Sequence, residues 1–195
     1  MCVEGYTAFT GEYVLLDRCP TCNLHCYDQI KFEASNGKVK SPVKVFHTIS
    51  LSPQLQTLYR DPSGAANMCY HDEHTRNILE ELELSDGKLS TYNDIITGTE
   101  YLKVVHDRKI EEGDIVLMLS INGAQLYKSK DSDCWIYIWI IVNLPPDLRY
   151  KKKYILPGGI IPGPKKPRFI ESFLFPGLHH LIGLQKEGLY IWDAS

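Results

Sequence analysis

At Asp114 the apolar pattern of this chain changes period, and that change does more than any other feature to limit the fold to an α+β arrangement. Ahead of it the spacing is helical. Pro53 stands at a first-turn position before Leu55, Leu58 and Tyr59, Asp61-Pro62 reads as the cap and first residue of a second helix, and Ile78, Leu79, Leu82 and Leu84 keep helical spacing up to Asp86-Gly87. A further helix is expected over residues 99–107. Beyond Asp114, residues 115–121, 135–142 and 154–161 are short β-branched and aromatic runs, separated by the turn sets Asn122-Gly123 through Ser132 and Leu144-Pro145-Pro146-Asp147. They are expected to form three antiparallel strands in sequence order. Residues 173–190 carry Leu174, Leu178, Leu181, Ile182 and Leu184 on one helical face, and Pro176 and Gly177 are expected to break or delay the start of that helix.

A chain of 195 residues with 44% hydrophobic and 23% charged residues has ordinary globular composition, enough for one domain or for one small domain plus part of another. Its net charge of −3 and pI near 6.2 argue against coating nucleic acid by bulk charge, while leaving room for a local basic patch. The first residues, Met1 to Tyr6, lack the basic start and apolar core of a secretory signal. The apolar run at 135–142 is far short of the roughly 20 residues a membrane helix requires, so no membrane span is expected. The expected compartment is intracellular, and nuclear where the chain is expressed. Its six cysteines should then be mostly reduced thiols.

Three sequential parts result: a cysteine-bearing, zinc-ribbon-like segment over 1–40, a helical region over 41–112, and a strand-rich part over 113–195. The first part closes on the turn Ser35-Asn36-Gly37 and is followed by the short extended run Val43 to Phe46. In it, Cys19-Pro20-Thr21-Cys22 is spaced for a metal knuckle. The set Cys69-x-His71-x-x-His74 is also metal-like, but with Asp72, Glu73 and Arg76 beside it the expected reading is the solvated face of a helix. Cys134 opens an apolar strand and is expected to be a buried small hydrophobe rather than a nucleophile served by His179 or His180. Arg149, Lys151, Lys152 and Lys153, with Lys165, Lys166 and Arg168, flank the third strand, either as phosphate contacts for DNA or as solvated strand ends.

Three meandering strands followed by a helix form the opening half of a ribonuclease-H-like fold, a topology that many unrelated α+β proteins share and that does not establish function. Particular residues add to it. They are Cys19-Pro20-x-Cys22 with Tyr27-Asp28; Ser52-Pro53-Gln54-Leu55-Gln56-x-Leu58-Tyr59; Asn122-Gly123-Ala124-Gln125-Leu126-Tyr127; Ser132-Asp133-Cys134-Trp135-Ile136-Tyr137-Ile138-Trp139; Leu156-Pro157-Gly158-Gly159 with Ile161-Pro162-Gly163-Pro164-Lys165-x-Pro167; and Ser172-Phe173-Leu174-Phe175-Pro176-Gly177. In these, across essentially its whole length, the chain resembles the CACTA (En/Spm-like) superfamily of cut-and-paste DDE transposases, most closely the fungal forms. The resemblance implies cleavage of transposon-end DNA and strand transfer by two Mg²⁺ or Mn²⁺ ions held by Asp, Asp and Glu, since hard dications need charged oxygen ligands.

Carried over by motif, the first of those acids falls on Asn122, where a neutral carboxamide offers one carbonyl oxygen and no second oxygen to bridge a cation. The family's other two acids lie beyond the first helix, and the sequence ends at Ser195 before either position. Asp131 and Asp133 sit in a polar turn and are read as solvated. The expectation is therefore a truncated, catalytically inactive transposase fragment, with a non-catalytic DNA-binding or protein-interaction module as the alternative. A half-domain of this kind is also expected to leave its third-strand edge exposed. In the family an upstream cysteine pair and a CPxC pair enclose a small zinc site; here Cys2 matches one upstream position and Tyr6 occupies the other. Cys2, Cys19 and Cys22 would need a fourth ligand, with His25 or Cys26 within reach by sequence, and a metal-free turn of reduced thiols is the competing reading. A bound zinc would serve folding rather than chemistry.

Overall fold

A computed structural model describes residues 1–125, 134–163 and 165–194. The order of elements is α1 (Gln29–Ala34), β1 (His47–Thr48), α2 (Leu51–Leu58), α3 (Pro62–Met68), α4 (Tyr70–Leu84), α5 (Thr99–His106), β2 (Leu117–Ala124), β3 (Cys134–Ile141), α6 (Pro146–Arg149), β4 (Leu156–Pro162) and α7 (Ile170–Glu187). The strands form one antiparallel sheet in the order β1-β4-β3-β2, so the fold is α+β with an antiparallel meander, as the change of period at Asp114 indicates. The expected exposed edge is in the wrong place. The third strand of the meander, β4, is covered by β1, with His47 opposite Ile160 and Thr48 opposite Gly159, and β2 is the outer strand instead.

Local chemistry accounts for the helix starts. The side chain of Asp61 accepts the N–H of Gly64 at 2.9 Å ahead of Pro62, and Asp28 accepts that of Lys31 at the start of α1. At the other end of α1, Asn36 and Gly37 both take positive φ and the N–H of Gly37 returns to the carbonyl of Phe32. One expectation fails in α7, which runs unbroken through Pro176 and Gly177. A proline there removes the N–H that would bond the carbonyl of Ser172, four residues earlier. In this fold that carbonyl accepts from the Thr10 hydroxyl, so it is satisfied without the helix ladder.

The described residues divide into two compact units, neither coinciding with a sequential third of the chain. One gathers Met1–Ser52, Ser120–Ile138 and Pro157–Leu189 around a core of Met1, Ala8, Ile161 and Phe173, with Phe46 edge-on to Phe173 at 5.2 Å. Its N-terminal strap is tied to α7, where the N–H of Ala8 donates to the Ser172 hydroxyl at 2.9 Å. The other gathers Pro53–Leu119, Trp139–Leu156 and the residues from Tyr190 onward around Ile78, Ile96 and Val142. Within it, the Asn143 side chain donates to the carbonyl of Asp114 and accepts the N–H of Val116, each at 2.8 Å. No helix among the described residues is long and apolar enough to cross a membrane.

Candidate metal centre

Two tight turns of the first unit deliver thiols to one place. In the first, the N–H of Cys2 donates to the carbonyl of Thr7 at 2.8 Å and the N–H of Gly5 returns to the carbonyl of Cys2, a path that needs the positive φ of +79° at Gly5. In the second, the N–H of Cys19 donates to the carbonyl of Leu24 at 2.9 Å and the N–H of Asn23 returns to the carbonyl of Cys19. An antiparallel bridge between Arg18 and His25 closes that hairpin. Each turn thus begins at a cysteine and is pinned by a bond to the residue five positions on.

The result is a cluster of Cys2, Cys19 and Cys22 whose sulfurs all lie within 4.8 Å of one another, Cys2 and Cys22 being 3.4 Å apart. All three are free thiols, and 3.4 Å is well beyond the roughly 2.05 Å of a disulfide. Thiolates bound at about 2.3 Å to a tetrahedral zinc ion would stand about 3.8 Å apart, so the spacing fits such an ion with little adjustment.

The electrostatics favour a cation. Burial raises the pKa of Cys19, but the N–H groups of Cys22 and Thr21, the Thr7 hydroxyl and the Cys2 thiol more than offset it, and Cys19 falls to about 7. Cys2 goes the other way, pushed up to about 11 by burial and by sharing hydrogen bonds with Cys22 and Cys19. Cys19 is therefore poised to ionise while Cys2 holds its proton, and a bound cation would displace that proton.

Cys26 does not join the cluster, although the sequence offers it as a fourth ligand. It follows the hairpin, its N–H bonds the carbonyl of Asp17, and its thiol donates to the carbonyl of Leu16 at 3.7 Å. Among the described residues the group stops at three, with His25 also outside it. Comparison with protein-family models, curated proteins and solved structures finds no match.

The other expected site residues are dispersed. Asn122 is exposed on β2, while Asp131 and Asp133 lie outside the described residues. Arg149 cannot serve DNA: only 1% exposed, its guanidinium is held by Asp94 at 2.5 and 3.0 Å and by the carbonyls of Val142 and Leu144. Lys151, Lys152 and Lys153 are exposed. Lys165 is paired with Glu4 and lies over the Tyr6 ring, and Lys166 lies over the Trp135 ring.

The expected solvated face of α4 holds at Glu73 and Arg76, which are exposed, and fails at His71. His71 is 2% exposed, its Nδ1 against Asp72 at 2.9 Å and its Nε2 against the Tyr101 hydroxyl at 2.5 Å, with Thr75 completing the chain at 2.8 Å. This relay holds α4 to α5. Cys134 is buried at the start of β3, as its apolar neighbours indicate. Sequence reasoning missed the contact of Ser52 with Nε2 of His180 at 2.9 Å, for which no local pattern exists across 128 positions.

Proposed function

We propose that the chain is a catalytically inactive module derived from a CACTA-type DDE transposase, and that its N-terminal turns hold one structural zinc ion. The convergence of Cys2, Cys19 and Cys22 carries the metal reading. Zinc there would tie two turns 17 residues apart in sequence, Cys2 to Cys19, into one unit, and its work would be folding. The adjacent positions of β2, β3 and β4, followed by α7, support the opening half of a ribonuclease-H-like domain. At the place of the first acid, the exposed Asn122 brings no charge to a pair of dications, which removes a main source of transition-state stabilisation.

The test has two parts. The purified chain should bind one equivalent of zinc, lost in Cys22→Ser, and its melting temperature should fall on chelation. With transposon-end DNA and Mg²⁺ or Mn²⁺ it should leave no nicks above background. Metal-dependent nicking that disappears in Asn122→Ala would overturn the assignment of inactivity, and failure to bind zinc would overturn the metal site.

One observation favours a second reading, as a DNA-binding module: Lys151, Lys152 and Lys153 stand exposed in a row, where phosphate could meet them. Salt-dependent binding to duplex DNA, weakened when the three are changed to glutamine, supports it; binding that ignores those changes does not.

A further inference from the structure

We infer that a cleft between α4, α5 and the turn at 110–113 binds a small organic cation, a primary ammonium carried on a compact apolar body. The cleft lies within the unit that holds neither Cys2, Cys19 nor Cys22, so it stands independently of the metal site.

Helical spacing builds two of its walls. Thr75 and Leu79 lie one turn apart on α4, Tyr101 and Val105 lie one turn apart on α5, and the hydroxyls of Thr75 and Tyr101 meet at 2.8 Å. The turn after α5 is fastened to α4 by two contacts: the N–H of Gly113 donates to Oδ2 of Asp72 at 3.1 Å, and Arg76 pairs with Glu112 at 2.9 Å. These pieces enclose about 200 Å³, with Leu79, Val105 and Ile110 as apolar sides. Sites for drug-sized ligands take roughly 300–1,000 Å³, so the occupant is smaller than that.

The hydrogen-bond network decides which polar atoms are left for a ligand. Asp72 can only accept, so Nδ1 of His71 is assigned as the donor to it; Nε2 then accepts from the Tyr101 hydroxyl, whose oxygen in turn accepts from Thr75. Both hydroxyl protons are spent inside the relay, and Tyr101 and Thr75 keep lone pairs to offer. Around them the lining carries the carboxylates of Asp72, Glu111 and Glu112 against the single guanidinium of Arg76. Acceptors within a surplus of negative charge select a donor that is itself a cation, and the apolar sides take its hydrocarbon part. An anion would meet a guanidinium already paired with Glu112.

Titration of the full chain, ¹⁵N-labelled, with phenethylamine at neutral pH tests this, with 2-phenylethanol and 3-phenylpropionate as the neutral and anionic counterparts. Saturable binding of the amine is expected, with amide shifts centred on α4, α5 and residues 110–113, about tenfold tighter than either counterpart. Glu111→Gln removes an exposed charge and should weaken the amine roughly threefold, whereas Glu33→Gln, which lowers the net charge equally in the other unit, should leave its affinity unchanged. Leu79→Trp, at a side chain 38% exposed, should fill the cleft and abolish binding. Where that variant fails to fold, the comparison of Glu111→Gln with Glu33→Gln decides. Binding of the alcohol or the carboxylate as tight as that of the amine, shifts centred elsewhere, no saturation, or equal effects of the two glutamate changes would each overturn the inference.

Discussion

Arg149 shows how much a single residue can depend on a partner far along the chain. Its guanidinium makes a two-point contact with Asp94, whose carboxylate also accepts the N–H of Ile95 at 2.6 Å and the hydroxyl of Tyr70 at 3.2 Å. Both side chains are almost wholly buried, so removing one charge strands the other. Asp94→Asn should lower the unfolding free energy by about 3–5 kcal/mol, measured by urea denaturation at neutral pH. Burial opposes ionisation of Asp94, but the bonds from Arg149 and Ile95 outweigh it and hold its pKa below the usual carboxylate range. A depressed carboxylate contributes stability that is fully present above its unfolded pKa, near 3.9, and is lost as the pH falls below that value. The parent chain should therefore lose stability on acidification below about pH 4 more steeply than Asp94→Asn, and parallel acid titrations of the two would refute this assignment. Nothing local distinguishes Arg149 from Lys151, Lys152 and Lys153 in the sequence. Its place at the end of α6, turned toward Asp94 across 55 positions, decides its role, and the same is true of His71, buried through Tyr101 30 positions away. The CPxC spacing, by contrast, is local chemistry and could be read directly, whereas Cys2 reaches it only through the fold.

Between elements, the closest constraint is on Tyr137. This β3 residue is fully buried, with Gly159 of β4 on one side and Gly177 of α7 on the other. A Cβ added at Gly159 would stand 2.3 Å from the ring and 2.9 Å from the carbonyl of His47, and one at Gly177 would stand 2.8 Å from the hydroxyl. Both glycines therefore leave room for an aromatic ring between strand and helix. Gly159→Ala should cost about 1–3 kcal/mol of stability, as overpacking does in a close-packed interior. Combining it with Tyr137→Leu should return part of that loss, because the ring contact is gone while the His47 carbonyl remains. A thermodynamic cycle of the two single variants and the double gives the coupling; strict additivity would show that the ring is not the obstacle. At this scale the sequence is most readable. The strand runs and the cap at Asp61-Pro62 are short-range patterns, and the structure keeps them within a few residues. Pro176 misleads because its effect depends on whether the Ser172 carbonyl finds another donor, and the Thr10 hydroxyl lies 162 positions away.

Taken as a whole, the chain is assembled from interleaved pieces, which sets what can fold alone. Residues 113–195, expected from sequence to be a partial domain, contain Ile161 and Phe173 but neither Met1, Ala8 nor Phe46, which pack with them. They contain Val142 but neither Ile78 nor Ile96. They contain Arg149 without Asp94, so a buried guanidinium would have no carboxylate. They also contain β4 without β1, whose removal frees a row of backbone groups opposite Ile160 and Gly159. Each loss alone is of the size that unfolds a marginal domain, and together they exceed the net stability such domains possess. Expressed separately, residues 113–195 should therefore show poorly dispersed amide resonances and self-association, while the 195-residue chain shows dispersed ones. A soluble, cooperatively melting 113–195 piece would mean that the strand meander and α7 form an independent core, and that the N-terminal strap merely decorates it. The tie from Ala8 and Thr10 to Ser172 argues for the opposite: the first turn of α7 depends on donors supplied by the other end of the chain.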